Sequence, residues 1–445
     1  MLGRCLSVLL APAVLALVAT PLDAADWPQW RGPNRDGVSS EADWSIHWPA
    51  TGPKRLWTTP IGEGTSAVAV VGNRIYTQGR VLGVGIRTGA EASSEAAICL
   101  DADTGKILWS YAIRPVIGAY SPHSTPTVDS GKVYLYATGG ELLCLDRETG
   151  HVIWENRLSG ATPEPTHYGH AVSPLVMGSI VIVACNREDG TLFGFDCGTG
   201  AERWRSERIP PTKVQAFWSS PVAGMIDGRP CVVYHAARAI LGVSPADGAT
   251  LWRFDFTDPP FPKPDDASIA STPIIWNGRV FASYRVCDDK APGRSFCLDV
   301  SGGKAKIAWE TGGLRTAWHS PAALDGFVYG MDESPTPIRG KVGLRCYDLA
   351  TGELKWSAKG VEAAPREGEE RWISANPFTI AGGRMISYLN DHLVVTELSP
   401  TGPKTMAAAD IGERGQWTVP VLANGRLYLR STGGNLICLD VSEPR

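Results

Sequence analysis

Cys99-Leu100-Asp101-Ala102-Asp103-Thr104-Gly105-Lys106-Ile107-Leu108-Trp109 returns 45 residues later as Cys144-Leu145-Asp146-Arg147-Glu148-Thr149-Gly150-His151-Val152-Ile153-Trp154. The phrase comes back from Gly194-Phe195-Asp196 to Trp204, from Gly242-Val243-Ser244 to Trp252, and from Cys346-Tyr347-Asp348 to Trp356. Cys297-Leu298-Asp299 to Trp309 carries it with two extra residues. Cys438-Leu439-Asp440 begins a last copy, and Gly52 to Trp57 reads as the end of a first one. The tryptophans 57, 109, 154, 204, 252, 309 and 356 are spaced by 52, 45, 50, 48, 57 and 47, by subtraction. A period of roughly 40–50 residues signals propeller blades or solenoid units.

Each period divides into four strands. In the second, Thr125-Pro126-Thr127-Val128 is a short first strand and Asp129-Ser130-Gly131 a turn. Lys132 to Ala137 alternates as a half-buried strand does, and Gly139-Gly140 is a hairpin signal before Glu141 to Leu145. Asp146 to Gly150 forms a turn in which Asp bonds the backbone ahead and Gly supplies positive φ. Ser173-Pro174, Ser220-Pro221, Thr272-Pro273, Ser320-Pro321, Asn376-Pro377 and Val419-Pro420 open the other units. The seventh unit is degenerate, with Thr396-Glu397-Leu398-Ser399-Pro400-Thr401-Gly402 in place of the usual phrase and Met406 where Trp is expected. The eighth stops at Asp440-Val441, lacking a fourth strand, while Lys54 to Trp57 is a fourth strand without a blade. Pairing the two closes a ring and removes its open edges. The expected fold is all-β: an eight-bladed propeller of four-stranded antiparallel blades over residues 52–445, after an irregular 25–51 segment lying along its surface.

Arg4 followed by the apolar run Leu6 to Val18, with Leu22-Asp23-Ala24 as a cleavage site, reads as a secretory signal peptide over 1–24. Cys5 precedes the apolar run, so no lipoprotein anchor is expected, and no segment of the mature chain is apolar enough to span a membrane. The protein is expected outside the cytoplasm, periplasmic or secreted. The 445 residues carry 42 Lys+Arg against 46 Asp+Glu, a net charge of −4 without a basic run, which argues against nucleic acid. Gly 49 and Pro 33 suit a turn-rich β protein. Of ten cysteines, Cys99, Cys144, Cys297, Cys346 and Cys438 hold one strand position in separate blades. These are too far apart for a disulfide and read as small buried hydrophobes. Cys287 and Cys297 flank one hairpin and are the best disulfide candidates.

The repeated Cys-x-Asp-x-x-Thr-Gly-x-x-x-Trp resembles the tryptophan-docking motif of the pyrroloquinoline-quinone (PQQ)-like β-propellers. That superfamily includes quinoprotein alcohol dehydrogenases and the outer-membrane-assembly scaffold BamB. Asp26-Trp27-Pro28-Gln29-Trp30-Arg31-Gly32-Pro33-Asn34-Arg35-Asp36-Gly37 is similar to the opening of secreted PQQ-like repeat proteins. The resemblance implies either a binding scaffold or a quinone dehydrogenase. The dehydrogenase would need PQQ between a Trp floor and a ring of adjacent cysteines, with calcium held by Glu, Asn and Asp. The chain has no Cys-Cys pair. Asp332, Glu333, Asn390 and Asp391 are of the right types on loops but match no family ligand set.

The third residues before the blade-opening prolines, His123, Ala171, Trp218, Ala270, Trp318, Ser374 and Trp417, should ring the mouth of the central funnel. His170 and His319 adjoin this ring, and Arg285 and Arg430 at second-strand ends could reach an anionic group. Trp218, Trp318 and Trp417 would form a shared wall for a planar ligand. The alternative is that these rings only fill the channel and the charges are solvated loop tips. No catalytic residue and no metal site emerges. The favoured function is a propeller binding a protein, glycan or small molecule through its funnel face. The alternative is a PQQ-dependent oxidoreductase with divergent ligands.

Overall fold

The computed structural model describes residues 25–443 except 50, 83–92, 114–121, 159–168, 211–217, 237, 257–266, 287–292, 317–318, 333–342, 360, 363–371, 374–376 and 416. The signal region lies outside this set, as do Cys287, Trp318, Glu333 and Ser374. Eight blade sheets follow one another, with a two-stranded sheet of Val361–Glu362 and Trp372–Ile373 between blades six and seven, and among the described residues there is no helix. Blade two shows the plan: strands Thr127–Asp129, Lys132–Tyr136, Glu141–Asp146 and Val152–Arg157 pair in order from first to fourth. In degenerate blade seven the long strand Arg384–Glu397 occupies the second and third places, with Asn390 in the left-handed region at its middle (φ 54°).

The repeated phrase builds the joint between blades. Asp146 Oδ1 accepts hydrogen bonds from the Thr149 amide (2.8 Å) and the Thr149 hydroxyl (2.7 Å), tightening the turn that ends in Gly150. Gly150 has φ +72°, and a Cβ there would lie 2.6 Å from the Trp109 ring of the preceding blade. Trp109 Nε1 in turn donates to Arg147 O of that turn (3.1 Å). Trp57, Trp154, Trp204, Trp309 and Trp356 make the equivalent bond into the next blade at 2.7–3.1 Å. Trp252 faces blade five, where the two extra residues lengthen the paired strands to Ser301 opposite Lys304 and leave a tight Gly302-Gly303 turn, and its Nε1 makes no such bond. In seven blades a β-bulge falls on the residue before this Trp, as at Leu108 and Ile153, and re-aims the indole towards its neighbour.

The ring closes between its ends. Lys54–Pro60 is the fourth strand of blade eight, with Lys54 opposite Asp440, Trp57 opposite Cys438 and Pro60 opposite Asn435. The eight described cysteines are free and buried. Cys297 is among them, and its suggested partner lies outside the described residues.

The N-terminal segment departs from the expected surface path. Trp27 pairs with Val70 of blade one, Pro28 O accepts from the Val128 amide of blade two, and Val38–Ser39 adds in parallel to Ile380–Ala381 of blade seven. Trp27, Arg31, Arg35 and Ser39 are buried. These contacts reach inner strands on different sides of the ring, so the segment runs through its centre. Two arginines and two tryptophans in twelve residues supply the hydrogen-bond donors and apolar area that such a path needs.

Candidate functional site

At four of the blade joints, the residue that leads into the first strand ties one blade to the next. Its amide donates to the hydroxyl at the same place in the following blade: Ala67 to Thr125 Oγ1 (3.1 Å), Thr125 to Ser173 Oγ (2.9 Å), Ser173 to Ser220 Oγ (3.0 Å) and Thr272 to Ser320 Oγ (2.9 Å). This belt fixes the register of the first strands around the axis. Two residues earlier in the chain, the next layer up lines a cavity of about 330 Å³. Its wall is Thr65, His123, Ala171, Trp218, Ala270 and Trp417, joined by Ser173 and Ser220 of the belt and by Trp30. Thr65 holds in blade one the place that His123 holds in blade two. No proline marks that blade, which is why the pattern of prolines missed it.

Trp30 lies one layer below the wall, because its Nε1 donates to Thr272 Oγ1 in the belt (3.1 Å). Its segment is anchored on either side. Arg31 donates to Ser320 O (3.0 Å) and Pro321 O (2.6 Å) of blade six. Arg35 donates to Pro174 O (2.8 Å) and Ser173 O (2.9 Å) of blade three. The cavity is therefore a cup whose bottom is the N-terminal segment.

Trp417 is 54% exposed and has φ +61°, in the left-handed region that a bulky side chain rarely adopts. Trp218 is 8% exposed, and its ring centroid stands 6.4 Å from that of His123. His123 Nδ1 and Thr65 Oγ1 are 2.5 Å apart. Burial, and then the nearby Arg430 charge, press the His123 pKa down to about 4, so the imidazole is neutral at physiological pH.

The other sequence candidates fall elsewhere. Arg430 points across the ring seam, donating to Ser66 O (2.8 Å), Gln78 O (2.7 Å) and Gly62 O (2.8 Å) of blade one. It is 2% exposed and does not line the cup. Burial lowers its pKa to about 9, so it stays charged at neutral pH, as do Arg31 (about 10) and Arg35 (about 9). His319 is buried outside the lining, and His170 packs beside Gly140 with Tyr136 Oη 3.3 Å from its Nδ1. Trp318 and the side chain of Arg285 lie outside the described residues.

Asp332, considered for calcium, is instead buried between two arginines: Arg315 Nε at 2.9 Å from Oδ1 and Arg345 Nη2 at 2.8 Å from Oδ2. Asp391 Oδ1 lies 3.0 Å from His392 Nε2. Among the described residues no group of three or more His, Cys, Asp or Glu is placed to hold a metal ion. PQQ carries three carboxylates on a planar quinone. The cup offers indole faces to the plane, but the guanidinium groups around it donate to backbone carbonyls and His123 is neutral. The described residues therefore do not fit PQQ. What they can do is stack on a ring and exclude water from its faces.

Residues 93–358, more than half of the chain, match the protein family described as outer membrane protein assembly factor BamB. No curated protein matches the sequence. Among solved structures, BamB from Moraxella catarrhalis superposes with TM-score 0.60 at 18% identity, covering 87% of this chain and 99% of that one. Quinohemoprotein alcohol dehydrogenase from Comamonas testosteroni gives 0.65 at 14% identity over 94% of this chain and 81% of the other. A europium-containing methanol dehydrogenase gives 0.65 at 13% over 92% and 89%. Identities this low speak for the fold alone, and that fold has both scaffolds and quinone enzymes among its bearers. By its repeat, its eight closed blades and its match to the family, this chain belongs to the BamB-type, PQQ-like β-propellers.

Proposed function

We propose that the protein is an extracytoplasmic binding propeller that captures a small ring-bearing ligand in the aromatic cup at its funnel mouth. One observation carries this reading. Trp417 holds a bulky ring half in solvent on a left-handed backbone. Such a backbone costs about 1–3 kcal/mol, and a half-exposed ring returns only part of that through burial. Strain of this kind, set in the wall of a cavity beside two more indoles, is what a binding surface requires. The location rests on the signal-like pattern of residues 1–24 and is checked by the N-terminus of the mature protein.

Calorimetric titration with indole, phenol and methyl β-D-glucopyranoside tests the cup. At least one of these ring compounds should bind, and Trp417→Ala should weaken it at least tenfold while lowering stability by at most about 2 kcal/mol. Failure of the whole panel to bind, or equal binding by the variant, would overturn the reading. Quinone absorbance and dye reduction with alcohols after adding PQQ and Ca²⁺ would replace it with the oxidoreductase.

A further inference from the structure

We infer that the N-terminal segment Asp26 to Ser39 is the built-in floor of this site: it seals the axial channel, presents Trp30 as the bottom of the cup, and limits the ligand to one uncharged ring or the uncharged terminal ring of a longer molecule. The inference rests on reading the cup as a ligand site.

Seven of the eight blades hold the segment. Beyond the contacts of Trp27, Pro28, Trp30, Arg31, Arg35 and Val38, Ser39 Oγ donates to Leu422 O of blade eight (3.3 Å). The contacts fall at successive depths. Trp30 meets the belt at Thr272, Arg31 and Arg35 meet belt and proline carbonyls, and Trp27 and Val38 pair two or three residues further down their inner strands. A segment crossing the axis at all these levels leaves no passage beneath the cup. Its backbone is folded tightly to do so: Arg31, Gly32, Arg35 and Gly37 have φ of 61°, 82°, 57° and 80°. A Cβ on Gly32 would lie 2.9 Å from the Trp27 ring, and one on Gly37 2.8 Å from Arg31 Nη2.

The consequences for the ligand are steric and electrostatic. The cup's volume of about 330 Å³ is at the small end of ligand pockets, roughly 300–1,000 Å³, and a blind cup admits a chain only by its end. No described wall residue is charged at neutral pH. Arg31, Arg35 and Arg430 already donate to carbonyls. A charged group entering the cup would lose hydration without gaining a matched partner among the described residues, whereas an uncharged ring loses little and covers Trp30, Trp218 and Trp417.

The test uses the full chain with Trp30→Ala, Trp30→Phe and the double variant Arg31→Ala/Arg35→Ala. The probes are indole, methyl β-D-glucopyranoside and, as the charged comparator, indole-3-carboxylate. The wild type should bind an uncharged probe at least tenfold more tightly than the carboxylate. Trp30→Ala should weaken binding at least tenfold, and Trp30→Phe should restore most of it. Hydrogen exchange should show the Trp27 and Gly37 amides protected in the wild type. They should exchange faster in the double arginine variant while third-strand amides stay protected. If Trp417→Ala impairs binding and Trp30→Ala does not, the floor is wrong although the cup stands. If the carboxylate binds as well as indole, the uncharged class is wrong. If no probe binds the wild type, the cup reading itself fails. Exchange of the Trp27 amide at the rate of an unstructured peptide would refute the plug irrespective of any ligand.

Discussion

Trp417 shows how one residue separates folding from function. At φ +61° any Cβ is strained, whereas glycine takes this conformation at no steric cost. Trp417→Ala and Trp417→Gly remove the same indole and differ mainly in that strain. The glycine variant should therefore be the more stable by about 1 kcal/mol, the reverse of the usual order of Ala over Gly. Urea unfolding of the pair measures it, and an alanine variant at least as stable would show that the backbone is not strained there. The wall containing Trp417 was legible in the sequence because proline counts the register from blade to blade. Thr65 was not, since blade one lacks the proline, and Trp30 was not, since its place depends on Thr272, 242 residues away. Arg430 looked like a ligand-binding cation because its backbone-carbonyl partners leave no mark in a sequence.

Between elements, the seam of blades one and two contains a carboxyl that titrates near neutral pH. Glu95, on the strand Ser93–Asp101, accepts the Thr138 amide from blade two at 3.0 Å. Burial, with a smaller contribution from Glu141, pushes its pKa up to about 7 from 4.5. A raised folded-state pKa means that the folded protein binds the proton more tightly than the unfolded chain. This contribution to stability is complete below about pH 4.5 and is lost as pH rises through 7. Glu95→Gln keeps the shape without the charge. It should stabilise the protein at pH 8 relative to wild type, by an amount on the order of 3 kcal/mol, and the difference should vanish near pH 4.5. His123 and His170, lowered by desolvation to about 4, and buried His235, lowered to about 3, act oppositely. Their stabilising neutral form is present above pH 6.5 and lost on acidification. The variant's stability should thus rise from pH 4 to 6.5 more steeply than the wild type's. Parallel wild-type and variant curves of denaturation midpoint against pH would contradict the assignment.

Over the whole molecule, the fold was legible because an error in one repeat is corrected by the others: blade seven lacks the phrase and the Trp, yet closure needs a sheet there. The complementary ends, a blade short of one strand and a strand short of a blade, already implied the pairing of Lys54 to Trp57 beside Leu436 to Val441, and the structure pairs Lys54–Pro60 with Asn435–Asp440. The path of residues 26–39 was not implied, since contacts to seven blades have no period. Closure makes one outer strand unlike the rest. In blade one the outer strand Ile107–Ala112 is tied to its neighbour by a short turn, so its detachment frays one edge. In blade eight the outer strand comes from the other end of the chain, so its detachment opens the ring and bares a sheet edge. Thr58 opposite Ile437 and Ser110 opposite Ile98 hold the same position, each next to its Trp. Proline at either removes the same amide and imposes the same φ. Ser110→Pro should cost about 3 kcal/mol and leave the protein folded. Thr58→Pro should cost more, increase protease cleavage near both chain ends, and promote aggregation through the bared edge. Light scattering and limited proteolysis of the two variants side by side decide it. Equal behaviour would mean that Arg430 and the N-terminal segment hold the ring shut without that strand.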